Sequence, residues 1–263
     1  FSQEIHKIHG GVVPELASRS HLEKIQIMTN ELFSRKNIDP NEIDVFSATC
    51  GPGLIGSLLV GSTFTKSLAI SFQKPFIPIN HLEGHILSTS FNNDIKFPSV
   101  VLLLTGGHTQ VYLMKDERNI ELLGQSVDDA IGEAFDKTAK LIGLSYPGGA
   151  EIEREAVRGD ENRFILPKPL AKEKNFNFSF SGIKTHINIL TKKNKIDKKF
   201  IQDLSASFQK NISDLLIEKL ERGLERLKLY KVNVKSLSVV GGVSNNKYIK
   251  KKIENFFINK DIE

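Results

Sequence analysis

The fold class of this 263-residue chain is decided by the stretch Ile43-Asp44-Val45-Phe46-Ser47-Ala48-Thr49. Its apolar residues predict a buried strand, which the turn Gly51-Pro52-Gly53 ends. The sequence then predicts a helix of small residues from about Leu54 to Phe72 and a second short strand over Phe76–Ile79. A strand, a helix and a strand with short connections indicate a parallel sheet, and therefore an α/β fold.

The same alternation continues on both sides of this stretch. The predicted helices cover Pro14 to about Lys36, the stretch carrying His81 and His85, Asp128–Ile142, a segment that begins after Pro147, about Lys199–Leu229, and the residues after Asn246. The predicted strands are Val100–Leu104 and Gln110–Met114, which form a β-hairpin, and Ser236–Val240. Polar residues 92–96 indicate a linker. The sequence therefore predicts a first lobe over 1–95 and a second over 96–263, with a basic helical insertion around 150–210.

The composition excludes several classes of protein. Hydrophobic residues make up 40% of the chain and charged residues 25%, as in a globular protein. No apolar run approaches the roughly 20 residues of a membrane span, so no membrane partner is expected. Cys50 is the single cysteine, which excludes an intramolecular disulfide and a thiolate-rich zinc site. A reducing, cytoplasmic setting fits this composition.

The positive charge of the chain is concentrated in one segment. The net charge is +5, but residues 163–210 contain eleven Lys or Arg against three Asp or Glu, a balance of +8. The rest of the chain therefore sums to −3. Such a segment is a candidate footprint for a phosphate backbone, although a lysine-rich solvated face also forms without a ligand.

The stretch His81-Leu82-Glu83-Gly84-His85 is a candidate metal site. Residues four apart on a helix lie on one face, so two imidazoles at this spacing can bind one ion. A pair of surface or capping histidines is the alternative. Glu83 lies about 200° around the helix from His81. In zinc peptidases of the H-E-x-x-H type the glutamate directly follows the first histidine, so the sequence disfavours that chemistry.

Glycine-rich turns follow three of the predicted strands. They are Gly51–Ser57, Thr105–Thr109 and Gly241–Asn246. Backbone N–H groups at such turns bind anions, and together the turns favour a nucleotide-binding cleft. The first turn lacks the Gly-Lys-Ser/Thr ending of a P-loop and also suits tight strand-to-helix packing. Asp136 and Glu153 are candidates for ribose hydroxyls, with an ion pair, such as that of Asp136 with Lys140, as the alternative.

Read together, the motifs resemble the tRNA threonylcarbamoyladenosine transferase family (TsaD). They are Gly10–Arg19, His81–His85, Leu103–Thr109, Gly132–Lys137, Tyr146–Gly149, Phe178–Thr185 and Gly241–Asn246, in the family's order over almost the whole chain. The resemblance implies an actin/sugar-kinase-like (ASKHA) fold with two lobes. It also implies transfer of a threonylcarbamoyl group from threonylcarbamoyl-AMP to N6 of adenosine 37 in tRNAs that read codons beginning with A.

The resemblance also implies roles for individual residues. His81 and His85 are expected to bind one divalent metal ion, Fe²⁺ in the family's usual description, with Zn²⁺ as the alternative. The expected substrate contacts are Leu103, Leu104, Thr105, Gly106 and Gly107, with His108 beside them, and Asp136, Gly149, Glu153 and Asn246 for the adenosine part. The motifs place no Ser, Cys or Lys as a covalent nucleophile. The implied partners are tRNA, a paralogous subunit of the same fold and a P-loop ATPase.

The chain departs from the family pattern at both ends. Members of the family begin with a strand and an acidic phosphate turn, and they end with a Thr-Asp-Asn-type motif whose aspartate is the third metal ligand. On this comparison the first strands and the C-terminal helix are missing, and the third ligand is expected beyond Glu263. The isolated 263-residue polypeptide is therefore expected to be inactive alone.

Three other functions compete with this interpretation. A small-molecule kinase or ATPase of the same superfold would hold Mg²⁺ by carboxylates and give the histidines no role. A non-catalytic dimerisation paralogue is a second alternative, but such paralogues lack the histidine pair. A glycoprotein endopeptidase is the third, and the position of Glu83 argues against it.

Overall fold

A computed structural model describes residue 6 and residues 11–36, 38–91, 94–258, 260 and 262. The chain divides into two compact units, Phe1–His85 and Ile86–Glu263, and each is described by itself. The polar linker predicted a boundary between residues 95 and 96, which is ten residues after the boundary between His85 and Ile86. Gly10 of the first family motif and residues 92 and 93 of the linker lie outside the described residues. Within the described part of the chain, no helix combines the length and apolarity that crossing a bilayer requires.

Unit 1 is a parallel strand pair with helices packed against it. Its elements are α1 (Pro14–Lys36), β1 (Phe46–Gly51), α2 (Ile55–Ser71), β2 (Phe76–Asn80) and the start of α3 (His81–Leu87). The strands β1 and β2 pair in parallel, with Phe46 opposite Phe76. Gly56 lets α1 and α2 approach closely, because a Cβ there would lie 3.0 Å from Cβ of Ser18. The predicted strand–helix–strand unit is confirmed.

Unit 2 is built on a mixed four-stranded sheet. Its strands are β3 (Ser99–Leu104), β4 (Thr109–Met114), β5 (Ile120–Gln125) and β6 (Ser236–Val240), in the order β5-β4-β3-β6. The β3–β4 pair is antiparallel, which confirms the predicted hairpin, and β6 runs parallel to β3. Every residue of β3 is buried, as an apolar run at the centre of a sheet requires.

The helices of unit 2 cover this sheet and enclose the core. They are α4 (Ile131–Leu141), α5 (Gly148–Ala156), α6 (Ser181–Lys193), α7 (Lys198–Leu229) and α8 (Lys247–Phe257). The longest, α7, is buried along most of its length. Its Phe208 meets Phe135 of α4 edge to face, with ring centroids 4.9 Å apart. This aromatic pair places α4 and α7 in the same hydrophobic core.

The structure corrects two boundaries, adds a strand and gives the bounds of a helix. The helix predicted from Asp128 begins at Ile131, because Ala130 is extended and the Asp128 carboxylate accepts bonds from residues 179–181. The first strand runs from Phe46 to Gly51 rather than from Ile43 to Thr49. The sequence did not predict strand β5, and it gave no bounds for helix α6, which lies within the predicted basic helical insertion.

Candidate functional site

The histidine helix α3 follows strand β2 without a linker. Asn80, the last residue of β2, caps the helix by accepting the Leu82 N–H at 2.8 Å and the Glu83 N–H at 3.4 Å. This cap begins the helix at His81, so His81 and His85 lie one turn apart on one face. Their ring centroids are 4.7 Å apart, with the rings edge to face. The predicted placement of the pair on one helix face is confirmed.

The residues present fit part of a metal site. Two imidazoles on one helix face are a donor set that Zn²⁺ and Fe²⁺ accept. Across the described residues, no group of three or more His, Cys, Asp and Glu side chains comes together in metal-binding geometry. Glu83 is exposed, two residues from His81. The pair can therefore supply two ligands, and a complete site needs further ligands.

A tight turn joins β3 to β4 in unit 2. The Thr105 N–H donates to the His108 carbonyl at 2.8 Å, and the His108 N–H donates to the Thr105 hydroxyl at 2.8 Å. The turn is closed by its own first and last residues, and Gly106 and Gly107 are exposed at its tip. Glycine at these two positions leaves the backbone N–H groups accessible to an anion.

The start of helix α4 packs directly on this turn. The Gly132 N–H donates to the Thr105 carbonyl at 3.3 Å, and the Ile131 N–H donates to the Thr109 hydroxyl at 2.8 Å. A Cβ at Gly132 would lie 2.6 Å from Cα of Gly106. Only glycine allows the helix and the turn to approach so closely.

A second glycine turn approaches from strand β6. Gly241 has φ +98°, and a Cβ there would lie 2.4 Å from the Leu104 carbonyl oxygen. The 3₁₀ turn Gly242–Asn245 that follows contacts β3 and α4. Segments distant in sequence therefore meet at the carboxyl end of β3 and β6. We call residues 105–108, 131–132 and 241–246 the loop cluster.

The predicted adenosine contacts lie beside the loop cluster. On α4, the Asp136 carboxylate accepts the Gly148 N–H at 2.7 Å, which brings it next to Gly149 of α5. Glu153 of α5 accepts the Lys247 N–H at 2.7 Å, beside Asn246. The structure therefore brings Asp136, Gly149, Glu153 and Asn246 to one side of unit 2.

Burial shifts the pKa values of two groups in this region. Burial raises the pKa of Asp136 and the charge of Glu133 raises it further, while the Gly148 N–H opposes both. Burial and the neighbouring Asp136 carboxylate likewise raise the pKa of Tyr146. The second oxygen of the Asp136 carboxylate can accept a hydrogen bond, as binding of a ribose hydroxyl requires.

Some of the predicted substrate contacts are buried or hydrogen-bonded within the protein. Leu103 and Leu104 are 0% exposed, backbone and side chain alike. Asn246 is also buried, at 7% exposure. Its Oδ1 accepts the Ile249 N–H at 3.0 Å as the cap of α8, and its Nδ2 donates to Gln209 at 2.8 Å. In this arrangement the Asn246 side chain shapes the loop.

Two polar clusters escaped the sequence analysis. Asp128 accepts bonds from the Ser179–Ser181 turn, and Asp203 of α7 accepts bonds from Lys199, Arg163 and a backbone N–H. Apart from Lys199, which lies four residues before Asp203, the partners are forty or more positions away, so no local pattern reveals them. The serines of the Phe178–Thr185 motif were the available signal for the first cluster.

Comparison with known proteins gives concordant results. The sequence model of the TsaD family, described as tRNA N6-adenosine threonylcarbamoyltransferase, matches residues 1–262. A protein of that name from Pelagibacter ubique is 43% identical over 261 residues, which are 99% of this chain and 73% of the relative. Those from Thermosipho africanus and Brucella suis are 43% and 45% identical, over 95% of this chain and 75% and 70% of theirs.

A solved structure supports the fold. HypF from T. kodakarensis superposes with a TM-score of 0.60 at 13% identity, over 89% of this chain and 39% of that chain. At this identity the likeness concerns the fold alone. The predicted α/β fold of the actin/sugar-kinase type is confirmed.

Proposed function

The chain belongs to the tRNA N6-adenosine threonylcarbamoyltransferase family (TsaD), and we propose that the loop cluster of unit 2 is where this transferase binds its nucleotide. The observation that carries the proposal is the meeting of two glycine turns with the start of α4 at the end of a parallel strand pair. Open α/β sheets bind ligands at this edge.

The proposed reaction is an acyl transfer in t⁶A modification of tRNA. The N6 amine of adenosine 37 attacks the carbonyl carbon of threonylcarbamoyl-AMP, a C–N bond forms and the C–O bond to the phosphate breaks. AMP leaves with the electron pair of that bond, and the amine releases a proton. The substrate tRNAs read codons beginning with A.

The residues of the loop cluster act by positioning and by electrostatics. The exposed N–H groups of Gly106 and Gly107 stabilise negative charge that develops on the carbonyl oxygen and the phosphate. Asp136 accepts a hydrogen bond from a ribose hydroxyl. The pairing of Leu103 with Gln110 and of Leu104 with Thr109 holds the turn in place on the sheet. Fixing the donor next to the amine lowers the entropic cost of the reaction.

We propose that His81 and His85 bind one divalent metal ion, Fe²⁺ or Zn²⁺. Their placement one turn apart on α3 and the affinity of imidazole for these ions support this role. When bound, the ion would supply a Lewis acid.

The proposed macromolecular partner is tRNA, contacted through the basic segment. Lys192, Lys193, Lys195 and Lys198 are exposed where α6 passes to α7. Asp197 lies among them, but its carboxylate caps α7 by accepting the Phe200 N–H at 2.8 Å. A cluster of exposed lysines suits a phosphate backbone. A paralogous subunit of the same fold and a P-loop ATPase are further proposed partners, and a tRNA substrate supports a cytoplasmic location.

Nucleoside analysis tests the transfer. The chain, its proposed partner proteins, threonylcarbamoyl-AMP and a tRNA transcript are incubated, and t⁶A in the digested tRNA is measured by mass spectrometry. The expected result is t⁶A at adenosine 37 with release of AMP when the partner proteins are present, and no t⁶A from the chain alone. ATP-dependent phosphorylation of a small molecule, with no t⁶A and no effect of His81→Ala, would instead identify a kinase.

Metal analysis tests the histidine pair separately. The double variant His81→Ala/His85→Ala is expected to lose the bound Fe or Zn that the wild type carries. His21→Ala is the control, because its ring bonds the Ala17 carbonyl within α1 at 2.6 Å. Equal metal content in all three proteins contradicts the proposed ligands.

A further inference from the structure

Asp128 is the centre of a hydrogen-bond network just ahead of helix α4. Its Oδ2 accepts the hydroxyls of Ser179 at 2.6 Å and Ser181 at 2.7 Å. Its Oδ1 accepts the Phe180 N–H at 2.8 Å and the Ser181 N–H at 3.4 Å. One carboxylate therefore fixes the whole turn that begins α6 to the segment that begins α4. Hydrogen bonds to an ionised acceptor are the strong ones in proteins.

The segment that carries Asp128 is bonded on its other side to the β3–β4 turn and its flanking residue Thr109. The Ser126 N–H donates to the Thr109 carbonyl at 2.8 Å, and the Ser126 hydroxyl closes the segment by donating to the Asp129 carbonyl at 2.6 Å. The Ile131 and Gly132 N–H groups then bond Thr109 and Thr105, as described above. Residues 126–132 thus lie between the β3–β4 turn and the Ser179–Ser181 turn.

The segment that leads into the Ser179–Ser181 turn is held by hydrogen bonds from α7. The ammonium group of Lys219, 0% exposed on α7, donates to the carbonyls of Leu170 and Glu173 at 3.2 and 3.1 Å and to Oδ1 of Asn175 at 2.8 Å. The Phe178 N–H then donates to the Gln125 carbonyl at 3.0 Å. A turn anchored to the core helix in this way can serve as a fixed support.

We propose that Asp128 is a positioning residue of the transferase, which sets the place of the Thr105–His108 turn by tying residues 126–132 to the Ser179–Ser181 turn. The inference rests on the proposed nucleotide site and assigns the Phe178–Thr185 motif a part in it. Asp128 acts through hydrogen bonds to other residues. Both of its carboxylate oxygens accept hydrogen bonds in the network.

Three variants separate positioning from stability and from charge. Asp128→Ala removes both acceptor oxygens. Asp128→Asn keeps one oxygen that accepts hydrogen bonds from the backbone N–H groups, and its NH₂ group can donate to the serine hydroxyl oxygens. Asp116→Ala is the matched control, because Asp116 accepts the N–H groups of Arg118 and Asn119 in the β4–β5 turn, at 2.8 and 2.9 Å. Hydrogen exchange by mass spectrometry is measured at residues 103–110 and at the middle of α7, and AMP is titrated into each protein.

In Asp128→Ala we expect exchange at residues 103–110 to rise about tenfold while α7 is unchanged, as in local opening. The dissociation constant for AMP should rise about tenfold, since misplacing binding groups by an ångström is costly. Asp128→Asn should restore both to within about threefold, and Asp116→Ala should change neither.

Unchanged exchange at residues 103–110 in Asp128→Ala overturns the proposal, as does failure of Asp128→Asn to restore it. Faster exchange throughout α7 in both variants also overturns it, because Asp128 is then a general stabilising residue. Absence of AMP binding by the wild type contradicts the proposed nucleotide site instead, and the exchange experiment remains a test of Asp128 by itself.

Discussion

Replacing Gly132 by alanine perturbs the site through backbone contact alone. The added Cβ would lie 2.6 Å from Cα of Gly106 and 2.8 Å from the Thr105 carbonyl oxygen. A favourable carbon–carbon contact distance is about 3.5 Å or longer, so helix α4 and the β3–β4 turn must separate by roughly 0.9 Å. Both atoms belong to the backbone, so no flexible side chain can give way.

The expected loss of function is larger than the expected loss of stability. Overpacking costs about 1–3 kcal/mol, and alanine recovers about 1 kcal/mol of helix propensity relative to glycine. The net cost of about 0–2 kcal/mol should lower the melting temperature by at most several degrees. A displacement of about 1 Å at groups that hold a reacting substrate costs about a hundredfold in rate. The t⁶A rate should therefore fall by about two orders of magnitude.

Gly61→Ala is the matched control for this experiment. Gly61 is also a helix residue, in α2, and a Cβ there meets no atom within 4 Å among the residues that the structure describes. Thermal unfolding, AMP titration and the t⁶A assay are run on both variants and the wild type. If Gly132→Ala keeps the AMP affinity and t⁶A rate of Gly61→Ala within twofold, the β3–β4 turn is not the substrate loop.

Two further predictions concern stability. Lys219→Met leaves two carbonyls and an amide oxygen without their buried donor, so we expect urea unfolding to show a loss of about 2–4 kcal/mol, against almost none for the exposed Lys228→Met; equal stabilities would contradict the anchoring role. Burial raises the pKa of Asp203, but hydrogen bonds from Lys199, a backbone N–H and Arg163 outweigh it and lower this pKa from 3.8 to about 2. The ionised Asp203 therefore contributes about 2 kcal/mol above pH 3.8, lost as the pH falls through about 2. Acid unfolding followed by circular dichroism should be less steep for Asp203→Asn in this range, and identical pH profiles would refute the assignment.

The parts of the fold that could be predicted are those with a local signal. Strand β6 was predicted with its observed bounds, and the β3–β4 hairpin with its turn, because buried apolar runs there end at glycines. Strand β5 carries a weaker signal. Its Leu122 is exposed, and its Gly124 leaves room for the main chain of Phe176, since a Cβ there would lie 2.5 Å from that carbonyl carbon. The strand pairs with β4, but a segment some fifty residues away packs against it.

The start of helix α4 shows how a distant contact overrides a local pattern. Asp128 is a good residue for a first helical turn, and the sequence predicted the helix to begin there. Its carboxylate instead accepts hydrogen bonds from residues 179–181, and the helix begins three residues later at Ile131. Those partners lie about fifty positions away, so the boundary could not be read from the helix segment itself.

The same distinction applies within the candidate site. The motifs place Asn246 and Gly132 in the proposed nucleotide site, but a motif does not show whether a residue contacts the ligand or supports the residues that do. Here Asn246 is bonded to Gln209 and to its own helix, and Gly132 is covered by Gly106. Asp136 and the exposed glycines of the β3–β4 turn are the groups that we propose to face the ligand. Mutations of Asn246 or Gly132 should therefore impair binding by changing the geometry of the loops. Mutations of Asp136 or of the turn glycines should impair it by removing a contact with the ligand.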